Sequence, residues 1–100
     1  MERLDVSELI KDNIIQSIET SRKATMEINK LMCSGVISNE ITDDLNWVFD
    51  GLWQLLYILY PIETLDEGRY DKLYRSFMLY LEGDSEGPET LNKFFKMMEE

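Results

Sequence analysis

Histidine is absent from this chain, and cysteine occurs once, at Cys33. Without an imidazole, a serine or the lone thiol lacks its usual general base, and no nucleophile motif of the G-x-S-x-G kind occurs. One cysteine forms no internal disulfide and offers no metal-ligand spacing, so no metal or other cofactor is expected. Basic residues are also scarce. Ten Lys and Arg stand against twenty Asp and Glu, a net charge of −10. Such a surface repels phosphate backbones and anionic headgroups, which argues against direct nucleic-acid or membrane binding. Long apolar runs are missing too. The longest uncharged run, between Asp50 and Glu63, has twelve residues, whereas a membrane-spanning helix needs roughly 20. The opening MERLDVSELIKDN alternates charges with aliphatics and contains no signal-peptide core. A reducing, cytoplasmic setting is the expectation.

What the chain does have is apolar content at helical spacing. Hydrophobic residues make up 44% of the chain and aromatics 11%, too many for a disordered segment. One hundred residues suffice for a single domain, 1–100, with a modest core. Asp5 and Glu8 have capping-box spacing, with Ser7 a competing cap, and neither Pro nor Gly interrupts the chain from there to Gly35. Ile10, Ile14, Ser17, Ser21, Ala24, Ile28 and Leu31 recur every three or four residues and predict a long first helix. Ser38 is placed to cap a second helix, whose apolar stripe runs Ile41, Leu45, Val48, Leu52, Leu55 and Leu59, widened by Phe49 and Leu56. Pro61 ends it. Thr64 and Glu67 predict the start of a third helix that Gly83 closes, with Tyr70, Leu73, Tyr74, Phe77 and Leu81 buried. Pro88 suits the first turn of a short last helix bearing Leu91, Phe94, Phe95 and Met98. No strand-like alternation appears. The expected fold is all-α: an irregular antiparallel four-helix bundle, long in its first helix and short in its last, with the second helix the most buried.

Charge and aromatics concentrate on the second helix. Between Lys30 and Arg69 there is no base, while Glu40, Asp43, Asp44, Asp50, Glu63, Asp66 and Glu67 are all acidic. Helical geometry gathers Asp43, Asn46, Asp50, Gln54 and Tyr57 on one wet stripe, with Trp47 and Trp53 at its edges. Trp and Tyr in a polar surround are enriched at binding hot spots. Asp43, Asp44, Trp47, Asp50, Trp53 and Tyr57 are therefore the candidate interaction residues, weighed against two plainer alternatives: acids that only solvate a helix, and indoles that only seal the core.

The expected function is non-catalytic protein binding, by an adaptor, chaperone-like or inhibitory module whose partner has a basic surface; a homodimer is a further expectation. One alternative is a phage-type anti-defence or nucleic-acid-mimic inhibitor that uses the acids in place of phosphates. Another is Mg²⁺-dependent hydrolysis. Glu40-x-x-Asp43 and Glu63-x-x-Asp66 have a spacing similar to that of all-α nucleotide pyrophosphatases, but such a site needs its carboxylates in one cleft. In EGDSEG, Glu82, Asp84 and Glu86 alternate without the ligand pattern of a calcium loop. SGVISNEITDDLNWVFDGLWQLL and LDEGRYDKLYRSFMLYLEG, about half the chain, resemble small helical-bundle proteins of Firmicutes that carry an Asp-Gly-Leu-x-Trp helix. Asp50, Gly51 and Leu52 bear the likeness, with Trp53 following directly. The resemblance implies a bundle and no activity.

Overall fold

The computed structural model describes residues 6–100, with side chains from Glu8 onward. The expected cap at Asp5 and Ser7 lies outside the described side chains. Four α-helices follow one another: α1 (Val6–Cys33), α2 (Ile41–Leu56), α3 (Glu67–Glu82) and α4 (Leu91–Glu99), with a 3₁₀ turn at Ile62–Thr64 between α2 and α3. Contacts along the helices give the up-down-up-down order. Trp53 and Asp50 of α2 meet Tyr70 and Tyr74 of α3, so those two run antiparallel. Phe77 of α3 packs on Phe94 of α4, while Arg69 reaches the opposite end of α4.

The helix boundaries have local causes. Gly83 takes a left-handed conformation, φ 72°, and closes α3 with its N–H bonded back to the α3 carbonyls, as its position in the sequence predicts. Asp66, rather than Thr64, caps the start of α3: its carboxylate accepts the Arg69 N–H at 2.8 Å. Thr64 instead donates to the Pro61 carbonyl inside the 3₁₀ turn. Thr90 caps α4 by accepting the Lys93 N–H, which leaves Pro88 two residues outside the helix. Ser38 accepts the Glu40 N–H in a turn before α2 and does not cap the helix itself. α2 ends at Leu56, and the turn over 57–60 separates it from Pro61.

The core is rich in aromatics. Trp53 contacts Tyr70, Tyr74 and Phe77, and the series continues through Phe94, Phe95 and Tyr60 at centroid separations of 5.2–6.1 Å. α3 packs on each of the other three helices and so occupies the centre, while α2 packs on α1 and α3. α2 and α3 bury four residues each, so α2 is not the most buried helix. Two arginines bind helix ends across the bundle. Arg22 of α1 donates to the Tyr80 carbonyl at 2.9 Å and lies over the Tyr80 ring. Arg69 donates to the Met97 and Glu100 carbonyls at 2.6 and 2.7 Å. A cation at a helix C-terminus meets the negative end of the macrodipole.

Two helices are rotated from their expected phase. In α1 the fully buried positions are Ile14, Ile18 and Thr25, while Ser17, Ala24 and Leu31 are exposed. The expected stripe repeats every seven residues, and a straight helix drifts about 20° per heptad against that repeat. In α2 the buried set is Phe49, Leu52, Trp53 and Leu56, while Val48 is 49% exposed. Phe49 and Trp53 offer more apolar area than Val48 and Leu55, so burying them turns the helix roughly 50° from the aliphatic stripe.

The radius of gyration is 15.1 Å, against about 13 Å for a compact domain of this length. The excess comes from the α1–α2 hairpin. Beyond Thr25 no residue of α1 is fully buried, and in α2 the first fully buried residue is Phe49. This end of the hairpin therefore extends past the core and carries the first two turns of α2 with it.

Candidate functional site

Those first turns of α2 hold the acids. Asp43, Asp44 and Asp50 are exposed, and Trp47 among them is 77% exposed. Residues three and four apart on a helix are surface neighbours. The helical neighbours of Trp47 are therefore Asp43 and Asp44 on one side and Asp50 and Gly51 on the other. An indole is surrounded by three carboxylates, with a shallow groove of ≈ 270 Å³ lined by Asp43, Asn46, Trp47 and Asp50. One carboxylate is held in place: Asp50 accepts a 2.6 Å hydrogen bond from the Tyr74 hydroxyl of α3. That bond, with burial adding to it, pushes the Tyr74 phenol up to about 12.

Two of the candidate residues fall elsewhere. Trp53 is 1% exposed, contrary to its expected place at the edge of the wet stripe. Its indole N–H donates to the Tyr70 hydroxyl at 3.1 Å, and its rings meet Tyr70, Tyr74 and Phe77. It is the largest fully buried side chain and contributes to the core alone. Tyr57 lies past the last turn of α2 and is half-buried against the core, so it does not extend the wet stripe. Both corrections follow from the rotation of α2 that buries Phe49 and Trp53.

The same rotation exposes what sequence spacing assigned to the core. Val48, from the expected apolar stripe, is exposed next to Trp47. Gly51 is exposed one turn further on. Tyr74, which positions Asp50, also escaped the sequence reading, because its partner is twenty-four residues away. A glycine in the interior of a predicted helix was the available signal.

A larger cleft of ≈ 360 Å³ opens between α1, α2 and the end of α3, lined by Thr25, Asn29, Asn46, Phe49, Glu82 and Asp84 among others. Thr25 at its floor donates to the Ser21 carbonyl at 2.8 Å. The two acidic pairs considered for Mg²⁺ sit at opposite ends of α2, separated by about 24 Å of helix rise. Asp84 accepts the Glu86 N–H at 2.8 Å, making EGDSEG a hydrogen-bonded turn. Among the described residues no group of three His, Cys, Asp or Glu is arranged to hold a metal ion. No helix among them is long and apolar enough to cross a membrane. No protein-family model matches the chain, and neither a curated protein nor a solved structure matches it significantly.

Proposed function

We propose that the protein is a small acidic, non-catalytic binding module that engages a protein partner with a basic surface through the outer face of α2. The observation that carries this reading is Trp47, which stands almost fully in solvent with three aspartates as its helical neighbours. A wholly solvated tryptophan exposes a large apolar surface at a cost, and such residues dominate protein interfaces when covered. The surrounding carboxylates favour a cationic counterpart and speed its approach. Asp43, Asp44, Trp47 and Asp50 make up the contact surface; Trp53 belongs to the core and Tyr57 lies beyond the end of the helix. Adaptor, chaperone-like and inhibitory roles all use such a surface. Acids alone would also suit mimicry of a phosphate backbone, but the indole in their midst favours a mixed apolar and charged contact. An exposed, unbridged Cys33 fits a reducing, cytoplasmic setting.

The test compares the parent with Trp47→Ala and with Asp43→Asn/Asp44→Asn. Each is measured by thermal melt and by retention of partners from the native cell extract. Unchanged melting with loss of the same retained protein in both variants supports the reading. Retention that survives both substitutions places the contact surface elsewhere.

A further inference from the structure

Gly51 sits in the interior of α2, where glycine is the poorest helix former after proline. Nothing inside the fold asks for it. Its φ is not in the left-handed region, which only Gly35 and Gly83 occupy among the described residues. A Cβ built on Gly51 would meet no atom within 4 Å. Gly87 shows the contrast, since a Cβ there would strike Leu79 at 2.8 Å. A residue that weakens its helix for no internal reason points to something outside the helix.

Its surroundings say what. Trp47, Gly51 and Leu55 lie at i, i+4 and i+8 on one ridge of the helix surface; Trp47 and Gly51 are exposed, while Leu55 is half-buried against the core. Gly51 is therefore a notch one turn beyond an exposed tryptophan, bounded on its other side by the half-buried Leu55, with Val48 exposed nearby. Packing of one helix against another inserts a side chain into such a notch, and glycine lets the two backbones approach closely. The acids then decide the occupant. A second copy of α2 laid on this ridge would face Asp43, Asp44 and Asp50 with the same three acids, and no base lies between Lys30 and Arg69 to offset them. An anionic lipid surface meets the same repulsion. A cationic helix meets attraction, and its lysine or arginine gains the face of the Trp47 ring as well.

We infer that the outward ridge of α2 docks a cationic amphipathic helix of a partner protein, with an apolar side chain in the Gly51 notch and a basic one over Trp47. This deepens the reading proposed above and rests on it. The docking is helix-in-groove recognition, in which apolar anchors set the register and charges select the partner.

The full chain is titrated with a synthetic Leu/Lys amphipathic helix of about five turns, with its Leu/Glu counterpart, and with a Gly/Ser/Lys peptide of equal charge. Tryptophan emission is the readout, and a Trp47→Phe variant assigns the signal. The Leu/Lys helix is expected to blue-shift Trp47 and to lose about tenfold or more in affinity as salt rises from low to physiological strength and beyond. The other two peptides are expected to leave it unchanged. The deciding variant is Gly51→Ala. It is expected to raise the melting temperature by about 4–8 °C, through helix propensity, while weakening the peptide severalfold. Gly51→Leu is expected to weaken it further. Parent-like binding by both Gly51 variants overturns the inference, as does equal binding of either control peptide. A Trp47 blue shift on sedimenting dimer formation without peptide, or on phosphatidylglycerol vesicles, overturns it in favour of those occupants. Should Trp47→Ala abolish partner retention while the Leu/Lys helix fails to bind, helix docking falls and the binding face stands. Should Trp47→Ala leave partner retention intact and the Leu/Lys helix also fail to bind, both fall.

Discussion

Trp47 and Trp53 are six residues apart on one helix, and their replacement by alanine is expected to have opposite consequences. Trp53 is 1% exposed, packs edge-on against Tyr70 and Tyr74, and donates its indole N–H to Tyr70. Truncating a buried aromatic to alanine costs about 3–5 kcal/mol in lost transfer energy and cavity formation. The Tyr70 hydroxyl loses its donor as well, adding about 0.5–1.5 kcal/mol. A loss of this size removes a large part of the stability of about 5–15 kcal/mol that a domain usually has. Trp47 is 77% exposed, so truncation removes only about a quarter of a tryptophan's burial, roughly 1 kcal/mol. Alanine returns about half of that through its better helix propensity. The assay is urea unfolding followed by far-ultraviolet circular dichroism. With a slope of about 1–3 kcal/mol per molar urea, Trp53→Ala is expected to lower the midpoint by 2 M or more, or to be unfolded in buffer. Trp47→Ala is expected to move it by less than about 0.5 M. Equal midpoints for the two variants, or a larger loss from Trp47→Ala, would refute the phase of α2 and every statement about its outer face.

Other features of the bundle yield further expectations. Gly87→Ala places a methyl 2.8 Å from the Leu79 Cβ and 3.0 Å from the Tyr80 backbone nitrogen; overpacking of this kind costs about 1–3 kcal/mol, read as a lowered melting temperature. Arg69→Ala leaves the Met97 and Glu100 carbonyls without their cationic donor; a loss of about 1.5–3 kcal/mol is expected, with amide exchange in the last turn of α4 accelerating first. Tyr74 has a folded-state value of about 12, raised from 10.0 by its hydrogen bond to Asp50. Between those values the unfolded chain releases the proton and the folded one keeps it, so this stabilisation is complete below pH 10 and declines as pH rises toward 12. Tyr57, Tyr60 and Tyr80 are also raised, the last two by burial, so absorbance titration at alkaline pH is compared between variants. The latest ionisation of the parent is expected to come earlier in Asp50→Ala. Persistence of the late ionisation in that variant would show that Asp50 is not its cause.

How many helices the chain forms, and roughly where each begins and ends, was legible in the sequence. Apolar residues three and four apart, the glycines after the first and third helical patterns, Pro61 and Pro88 act locally, through backbone geometry that needs no distant partner. The acidic character of α2 and the exposure of Asp43, Asp44 and Asp50 were legible for the same reason, whereas the sequence set Trp47 and Trp53 alike at the edge of the wet stripe. Which side of α2 turns inward was not legible. Val48 and Leu55 compete with Phe49 and Trp53 for the core on one helix, and only the space beside Tyr70, Tyr74, Phe77 and Phe94 decides that the aromatics win. That choice moved Trp53 from an expected contact to the centre of the core and turned Val48 outward. Likewise, the caps at Asp66 and Thr90 displaced the expected ones at Thr64 and near Pro88, because loop paths depend on where neighbouring helices sit. The hydrogen bond from Tyr74 to Asp50 and the two arginines on helix ends join residues 24 to 58 positions apart. Helical period reports on neighbours within a turn or two. Pairings across the bundle are set by the free energy of filling one shared core, which no single helix contains.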